Sequence, residues 1–300
     1  MKNLALMYVR RFVLQILFQL SPQRAHFYVR YAVLERNIQI DGTLFVLHNA
    51  GLFSCFMTTM WGVIEATYHG HAVQQIDSRL GIQAFTNSSN QSIWNILFNA
   101  PPKSAKSKLD PLPININPFY HHGTYVDIVQ RHLGIDWMRW YFTTYMSPSE
   151  RVLERSRFFA DKYSIRHGDS AAVLIRGTDK HTEVTPVGLS AYFAIVDHLF
   201  AAGDIQKIII QTDQRQYRDA FIAQYGVRCE YLSELPVTKG SIVMHDTVGI
   251  ISDRESFAVD LYAMCLALSE SKVVITCTSN VGFFLSAHAL IRGSRVIQLP

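Results

Sequence analysis

The sequence predicts an α/β protein with parallel sheet, on three observations. From residue 171 onward, strand-like and helix-like segments alternate without a break. The strand segments are short, unbroken apolar runs, as befits strands covered on both faces. Two of these runs end abruptly in polar, chemistry-bearing residues, where ligands bind in open α/β sheets. The expected strands are 171–175, 207–211, 227–231, 272–276 and 295–299, and the expected helices are 187–201, 214–225, 256–271 and 281–292.

Before residue 171 the pattern is sparser. An apolar run at 44–48 meets Asn49-Ala50-Gly51, and helical spacing follows over 53–66. Strand, glycine turn and helix in that order form the nucleotide-handling unit of α/β folds, although a lone glycine also simply tightens a turn. A short helix is expected at 92–98 around Trp94, and further helices at 123–133 and 148–160. Residues 101–113 are rich in proline, lysine and serine and read as a long loop. The pattern changes at His167-Gly168-Asp169-Ser170, so the chain divides into 1–165 and 166–300, two Rossmann-like halves. There is no fixed-period repeat and no low-complexity tract.

Composition narrows the function. At 300 residues, 49% hydrophobic and 17% charged, the chain is long enough for one large or two ordinary α/β domains and too apolar for disorder. A net charge of +4 with scattered lysines and arginines gives no case for nucleic acid and suits a cleft for an anionic small molecule. Cys55, Cys229, Cys265 and Cys277 lack paired spacing, which favours reduced thiols and a cytoplasmic setting. Residues 1–20 are apolar, but Arg10-Arg11 divide them, and the remaining run is shorter than the ~20 residues a span requires. They read as an amphipathic core or docking helix, with peripheral membrane association as the alternative. His69-x-His71 and His121-His122 have no third ligand at metal-site spacing, and no Asp-x-Asp occurs, so no metal is expected. Trp61, Trp94, Trp137, Trp140, Tyr141 and Tyr145 read as core, with sugar stacking as the alternative.

The chemistry concentrates after two strands. Ala171–Ile175 delivers Arg176-Gly177-Thr178-Asp179-Lys180-His181-Thr182-Glu183. An arginine there can fork two donors onto a phosphate, Lys180 supplies a point charge, and Asp179 or Glu183 can accept a proton from a hydroxyl nucleophile. The plain alternative is a solvated loop in which Arg176 pairs with Asp179 or Asp213. The second strand runs into Cys277-Thr278-Ser279-Asn280, opening a helix where Ser279 and Asn280 either bind an anion or cap the helix, or do both. Asp213 ends its own strand and can hydrogen-bond a ribose or base, or cap the helix that follows.

These segments resemble the motifs of the fucosyltransferase superfamily that includes the core α-1,6-fucosyltransferases, the rhizobial chitooligosaccharide fucosyltransferases and the protein O-fucosyltransferases. Arg176 matches the arginine that holds the donor diphosphate, followed by Thr178-Asp179-Lys180. Ile208-Ile209-Ile210-Gln211-Thr212-Asp213 resembles the strand ending in Ala-Thr-Asp, Ser279 the nucleotide-contacting serine or threonine, and Asn49-Ala50-Gly51-Leu52-Phe53 the early glycine loop. Asp260 is set against the aspartate of the helix before the last motif, about one helical turn further from Ser279. Leu174 stands where the family carries histidine, and Gly177 where core enzymes carry a second arginine. The resemblance implies a GT-B architecture, with two Rossmann-like domains and parallel sheets facing a central cleft. It implies inverting, metal-independent transfer of a sugar, first of all L-fucose from GDP-fucose, to a carbohydrate or glycolipid acceptor. The donor would be held by Asn49, Gly51, Arg176, Lys180, Asp213, Asp260, Ser279 and Asn280, and Glu183, Asp179 and Arg176 would carry the chemistry. Another nucleotide sugar, or a binding protein without turnover, are the alternatives.

Overall fold

The computed structural model describes residues 37–40, 42–88, 90–102, 124–165, 168–176, 187–238 and 251–299. The 1–20 segment, most of the 101–113 loop and His121-His122 lie outside the described residues.

The first sheet is small and mixed. Strand β1 (Asn37–Ile40) pairs antiparallel with β2 (Thr43–Val46), with Ile38 opposite Phe45. The two-residue link can join only antiparallel neighbours, and its second residue, Gly42, sits at φ +77°, where glycine carries no Cβ penalty. Helix α1 (Leu52–Tyr68) then carries the chain over to β3 (Gln75–Asp77), parallel to β2. The first half is therefore a single β-α-β unit with an antiparallel edge, and the wholly parallel sheet expected there is absent from the described residues. Short β3 escaped the sequence reading because Ile76 is its only apolar residue.

Helices follow: α2 (Ile93–Leu97), a turn at Tyr125–Asp127 that widens into a π-helix over Ile128–Leu133, α3 (Ile135–Tyr145) and α4 (Glu150–Lys162). In α3, Trp137, Tyr141 and Tyr145 recur every four residues and line one buried stripe. Trp137 stacks on Tyr141 at 5.5 Å. The core reading of these aromatics holds: Trp61, Trp94 and Trp137 are buried, and Trp140 packs against the same core.

The second half alternates as expected: β4 (Ser170–Ile175), α5 (Leu189–Ala201), β5 (Lys207–Thr212), α6 (Arg215–Tyr225), β6 (Cys229–Tyr231), α7 (Arg254–Leu268), β7 (Val273–Cys277), α8 (Asn280–Ile291) and β8 (Arg295–Leu299). All five strands are parallel in the order β6-β5-β4-β7-β8. Every residue of β4 is buried, and its side chains alternate between two cores as the pleat demands. Ala171, Val173 and Ile175 meet Tyr192, Val196 and Phe221 of α5 and α6, while Ala172 and Leu174 belong to the cluster on the opposite face.

That second cluster runs on into the first half of the chain. Phe56 of α1 lies edge-on to Trp94, Tyr262 and Phe284 at 5.6, 5.7 and 5.8 Å, each such contact adding ~0.5 to 1.5 kcal/mol beyond burial. The two sheets are thus separate, but the apolar core is shared across residue 165. No helix among the described residues is long and apolar enough to cross a membrane.

Candidate active-site crevice

In a doubly wound sheet, ligands bind outside the carboxyl ends of the strands where the strand order reverses. Here the chain winds from β4 outward to β5 and β6, then returns to place β7 on the other side of β4. The reversal lies between β4 and β7, whose ends carry Arg176 and Thr278-Ser279. The two strands distinguished by their polar ends are therefore the pair that flanks the switch point.

Arg176 leaves β4 beside Asp213, because the register pairs Ile175 with Thr212 one residue earlier. Its Nε lies 3.1 Å from Asp213 Oδ2, with the carboxylate 6% exposed and the arginine side chain 29% exposed. Asp213 does not cap α6: Gln214 occupies the cap position, and no side chain caps this helix. The Asp213 backbone is fixed instead, its carbonyl accepting from Thr238 N and Oγ1 at 2.9 and 3.1 Å. A buried carboxylate on an immobilised backbone sets the direction of the guanidinium while leaving part of it at the crevice.

At β7 the helix cap is realised. Ser279 Oγ accepts from Gly282 N at 3.0 Å, and Ser279 is buried. Gly282 is obligatory there, since a Cβ would stand 2.6 Å from both Cys277 O and Thr276 Oγ1. The turn is braced from outside the motif. Tyr125 OH donates to Ser279 O at 2.7 Å and accepts from Ser279 N, while Gln298 accepts from Tyr125 N at 2.5 Å and donates to Thr278 Oγ1 at 3.0 Å. Burial raises the Tyr125 phenol, so it remains a neutral donor. Neither Tyr125 nor Gln298 carries a sequence signal; Tyr125 lies 154 residues from its partner. Asn280, partly exposed, opens α8.

The first half contributes a second helix N-terminus. Gly51 caps α1 with no side-chain hydrogen bond, at φ −56° and ψ 145°, and a Cβ on it would meet no described residue within 4 Å. Among the described residues, neither backbone conformation nor packing requires glycine at this position. Asn49 accepts from Gln83 N at 3.0 Å through Oδ1 and so ties the glycine loop to the segment after β3. Phe53, in the first turn of α1, lies 5.9 Å from Phe284 of α8, so the starts of the two helices are neighbours.

Asp260 is placed elsewhere in the packing: Arg155 of α4 holds it, with Nε 2.5 Å from Oδ1. Asp179, Lys180 and Glu183 lie outside the described residues. Among the described residues no three His, Cys, Asp or Glu side chains are grouped to hold a metal ion, and His69 bonds Glu65 at 3.1 Å. All four cysteines are buried free thiols.

No family model and no curated protein matches this sequence. Solved structures do match the fold. NodZ α-1,6-fucosyltransferase co-crystallized with GDP superposes with a TM-score of 0.51 at 12% identity, over 84% of this chain and 93% of that one. NodZ soaked with GDP-fucose gives 0.51 and 12%, over 84% and 92%. A further structure of fucosyltransferase NodZ, from Bradyrhizobium, gives 0.49 and 12%, over 81% and 91%. The two superpositions at 0.51 show that the chain shares the α/β fold of NodZ.

Proposed function

We propose that this protein is a glycosyltransferase that binds a nucleoside-diphosphate sugar, GDP-fucose before others, and transfers the sugar to a carbohydrate or glycolipid acceptor. The observation that carries this reading is the placement of Arg176 and the Ser279 turn on the two strands flanking the switch point, beside the open N-terminus of α1. A guanidinium and two helix N-termini supply positive potential where a diphosphate would depart. The structures of NodZ with GDP and soaked with GDP-fucose support the choice of nucleotide.

In this reading the acceptor oxygen attacks the anomeric carbon from the face opposite the diphosphate, inverting it, and the bonding pair leaves with the phosphate. Arg176, aimed by Asp213, meets the growing charge, with Lys180 expected beside it and no divalent ion required. Asp179 or Glu183 is the carboxylate expected to take the acceptor proton. Asp213 serves the donor site as the positioning partner of Arg176, and Asp260 serves it through the α4–α7 packing that it holds together. Residues 1–165 form the acceptor side and 166–300 the donor side, working in the cytoplasm, with residues 1–20 as the point of any membrane contact.

Calorimetry with GDP, UDP and ADP tests this. Preferential binding of GDP is expected. Preference for UDP would keep the transferase and change the donor, and no binding of any nucleotide by folded protein would refute the proposal. Nucleotide binding without hydrolysis or transfer would instead favour a binding protein.

A further inference from the structure

Strand β7 lies against β4 with Val173 opposite Ile275. Three residues further along each strand stand Arg176 and Thr278, so the Thr278-Ser279 turn and the arginine leave neighbouring strands at the same level of the switch point. One phenol from the first half meets both peptide groups of Ser279: Tyr125 OH donates to Ser279 O at 2.7 Å and accepts from Ser279 N. Ser279 O also takes Phe283 N at 2.9 Å, the first bond of α8. The phenol therefore grips the residue at which strand becomes helix. Gln298 of β8 closes the ring of contacts, accepting from Tyr125 N at 2.5 Å and donating to Thr278 Oγ1 at 3.0 Å.

Tyr125 is itself held in place. Thr124 Oγ1 accepts from Asp127 N at 3.1 Å and donates to Asp127 Oδ2 at 2.8 Å, which fixes the turn that carries the tyrosine. Its buried ring lies edge-on to Phe283 at 5.6 Å. The chain then widens into the π-helix over Ile128–Leu133, a rare winding that is frequent at functional sites. We propose that Tyr125, oriented by Gln298, is a positioning residue for the donor: it holds the Thr278-Ser279 turn in its binding conformation and so ties donor affinity in the second half to a segment of the first. This rests on the glycosyltransferase reading. Without the hydroxyl, Ser279 N and O lose a buried partner, and conformations that turn them to water compete. Apparent affinity then falls with the fraction of molecules whose turn is competent. The coupling is reciprocal, so a bound nucleotide steadies residues 125–133 by the same factor by which they steady its site.

The test uses the full chain and GDP as the probe. Tyr125→Phe keeps the ring against Phe283 and removes only the hydroxyl. In conditions where denaturation curves show the variant fully folded, it is expected to weaken GDP by ~5- to 50-fold. With GDP-fucose as donor and water as acceptor, the KM of hydrolysis should rise while kcat at saturation stays within about twofold. Gln298→Met should weaken GDP as well, and the double variant should fall by no more than about twofold beyond the worse single one, because both act on one turn. In wild type, GDP should slow hydrogen exchange of the amides of residues 125–133. Should Tyr125→Phe fail to fold, Gln298→Met and the wild-type exchange still decide. GDP affinity within about twofold of wild type in folded Tyr125→Phe, additive losses in the double variant, or exchange in residues 125–133 unmoved by GDP would each overturn the assignment and leave Tyr125 a residue of the fold alone. Failure of wild type to bind GDP would instead strike the glycosyltransferase reading.

Discussion

Arg176→Ala and Asp213→Asn, made separately, resolve whether the pair at the switch point holds a ligand or only the fold. Asp213 is almost fully buried, so removing Arg176 takes a cationic partner from a carboxylate in the interior. Losing one partner of a buried pair costs ~3 to 5 kcal/mol, and since the arginine is 29% exposed and its carboxylate partner only 6%, water can replace part of the interaction. A loss of ~2 to 4 kcal/mol is expected for Arg176→Ala, and ~1 to 3 for Asp213→Asn, where the remaining arginine can turn to solvent and the amide still accepts a hydrogen bond. Binding should diverge. A charge-assisted bond to a diphosphate contributes ~1.5 to 3 kcal/mol, so Arg176→Ala should weaken GDP by ~10- to 150-fold for each bond lost. Asp213→Asn removes a negative charge from the proposed donor site; two unit charges on the order of 6 Å apart at an effective dielectric of about 20 repel by ~3 kcal/mol, which offsets the looser arginine. GDP affinity in Asp213→Asn should therefore fall by less than ~tenfold. Urea denaturation and calorimetry measure the two quantities. If both variants lose stability alike and Arg176→Ala still binds GDP as wild type does, the arginine is structural and the phosphate role is refuted.

Two glycines should behave in opposite ways. Gly282→Ala drives a Cβ against Cys277 O and Thr276 Oγ1, and overpacking of this kind costs ~1 to 3 kcal/mol in denaturation. Gly51→Ala meets no described residue and should change stability by less than ~0.5 kcal/mol, yet reduce GDP binding if the phosphates lie against this helix start. His288 is buried in the shared core, stacked on Phe142 at 3.9 Å and 3.3 Å from Tyr262 OH. Burial first, and Arg292 second, hold its basicity well below the ordinary 6.5. The unfolded chain then binds more protons below that pH, so stability should fall as pH drops from about 6.5, by up to ~1.4 kcal/mol per pH unit from this group. His288→Gln should flatten that slope in denaturation curves at pH 5 and 7.5; an unchanged slope would show that His288 is not its source.

How far the sequence could be read follows the range of the physical signal. The unbroken apolar runs of β4 and β5 and their alternation with helices mark a parallel sheet buried on both faces, because each strand must bury both sets of its side chains. Arg176 and Ser279 stood out for the same reason: polar residues directly after such runs emerge at the carboxyl edge. Three-residue β3 carries too little periodicity to register, and the antiparallel β1–β2 edge depends on the turn at Gly42. In the early loop the sequence marks Gly51, where no packing among the described residues needs glycine, whereas the close approaches are at Gly81 and Gly282 and depend on what the backbone meets from elsewhere.

The sequence by itself determined the fold class, the run of elements after residue 171 and the two strands that bear the polar ends, since these depend on local apolar patterning and turn chemistry. Only the tertiary structure decided that those two strands flank the switch point, that Asp213 answers Arg176, and that Tyr125 and Gln298 brace the Ser279 turn. Each of these joins parts of the chain that lie tens of residues or more apart, and the partners are chosen by how the elements pack.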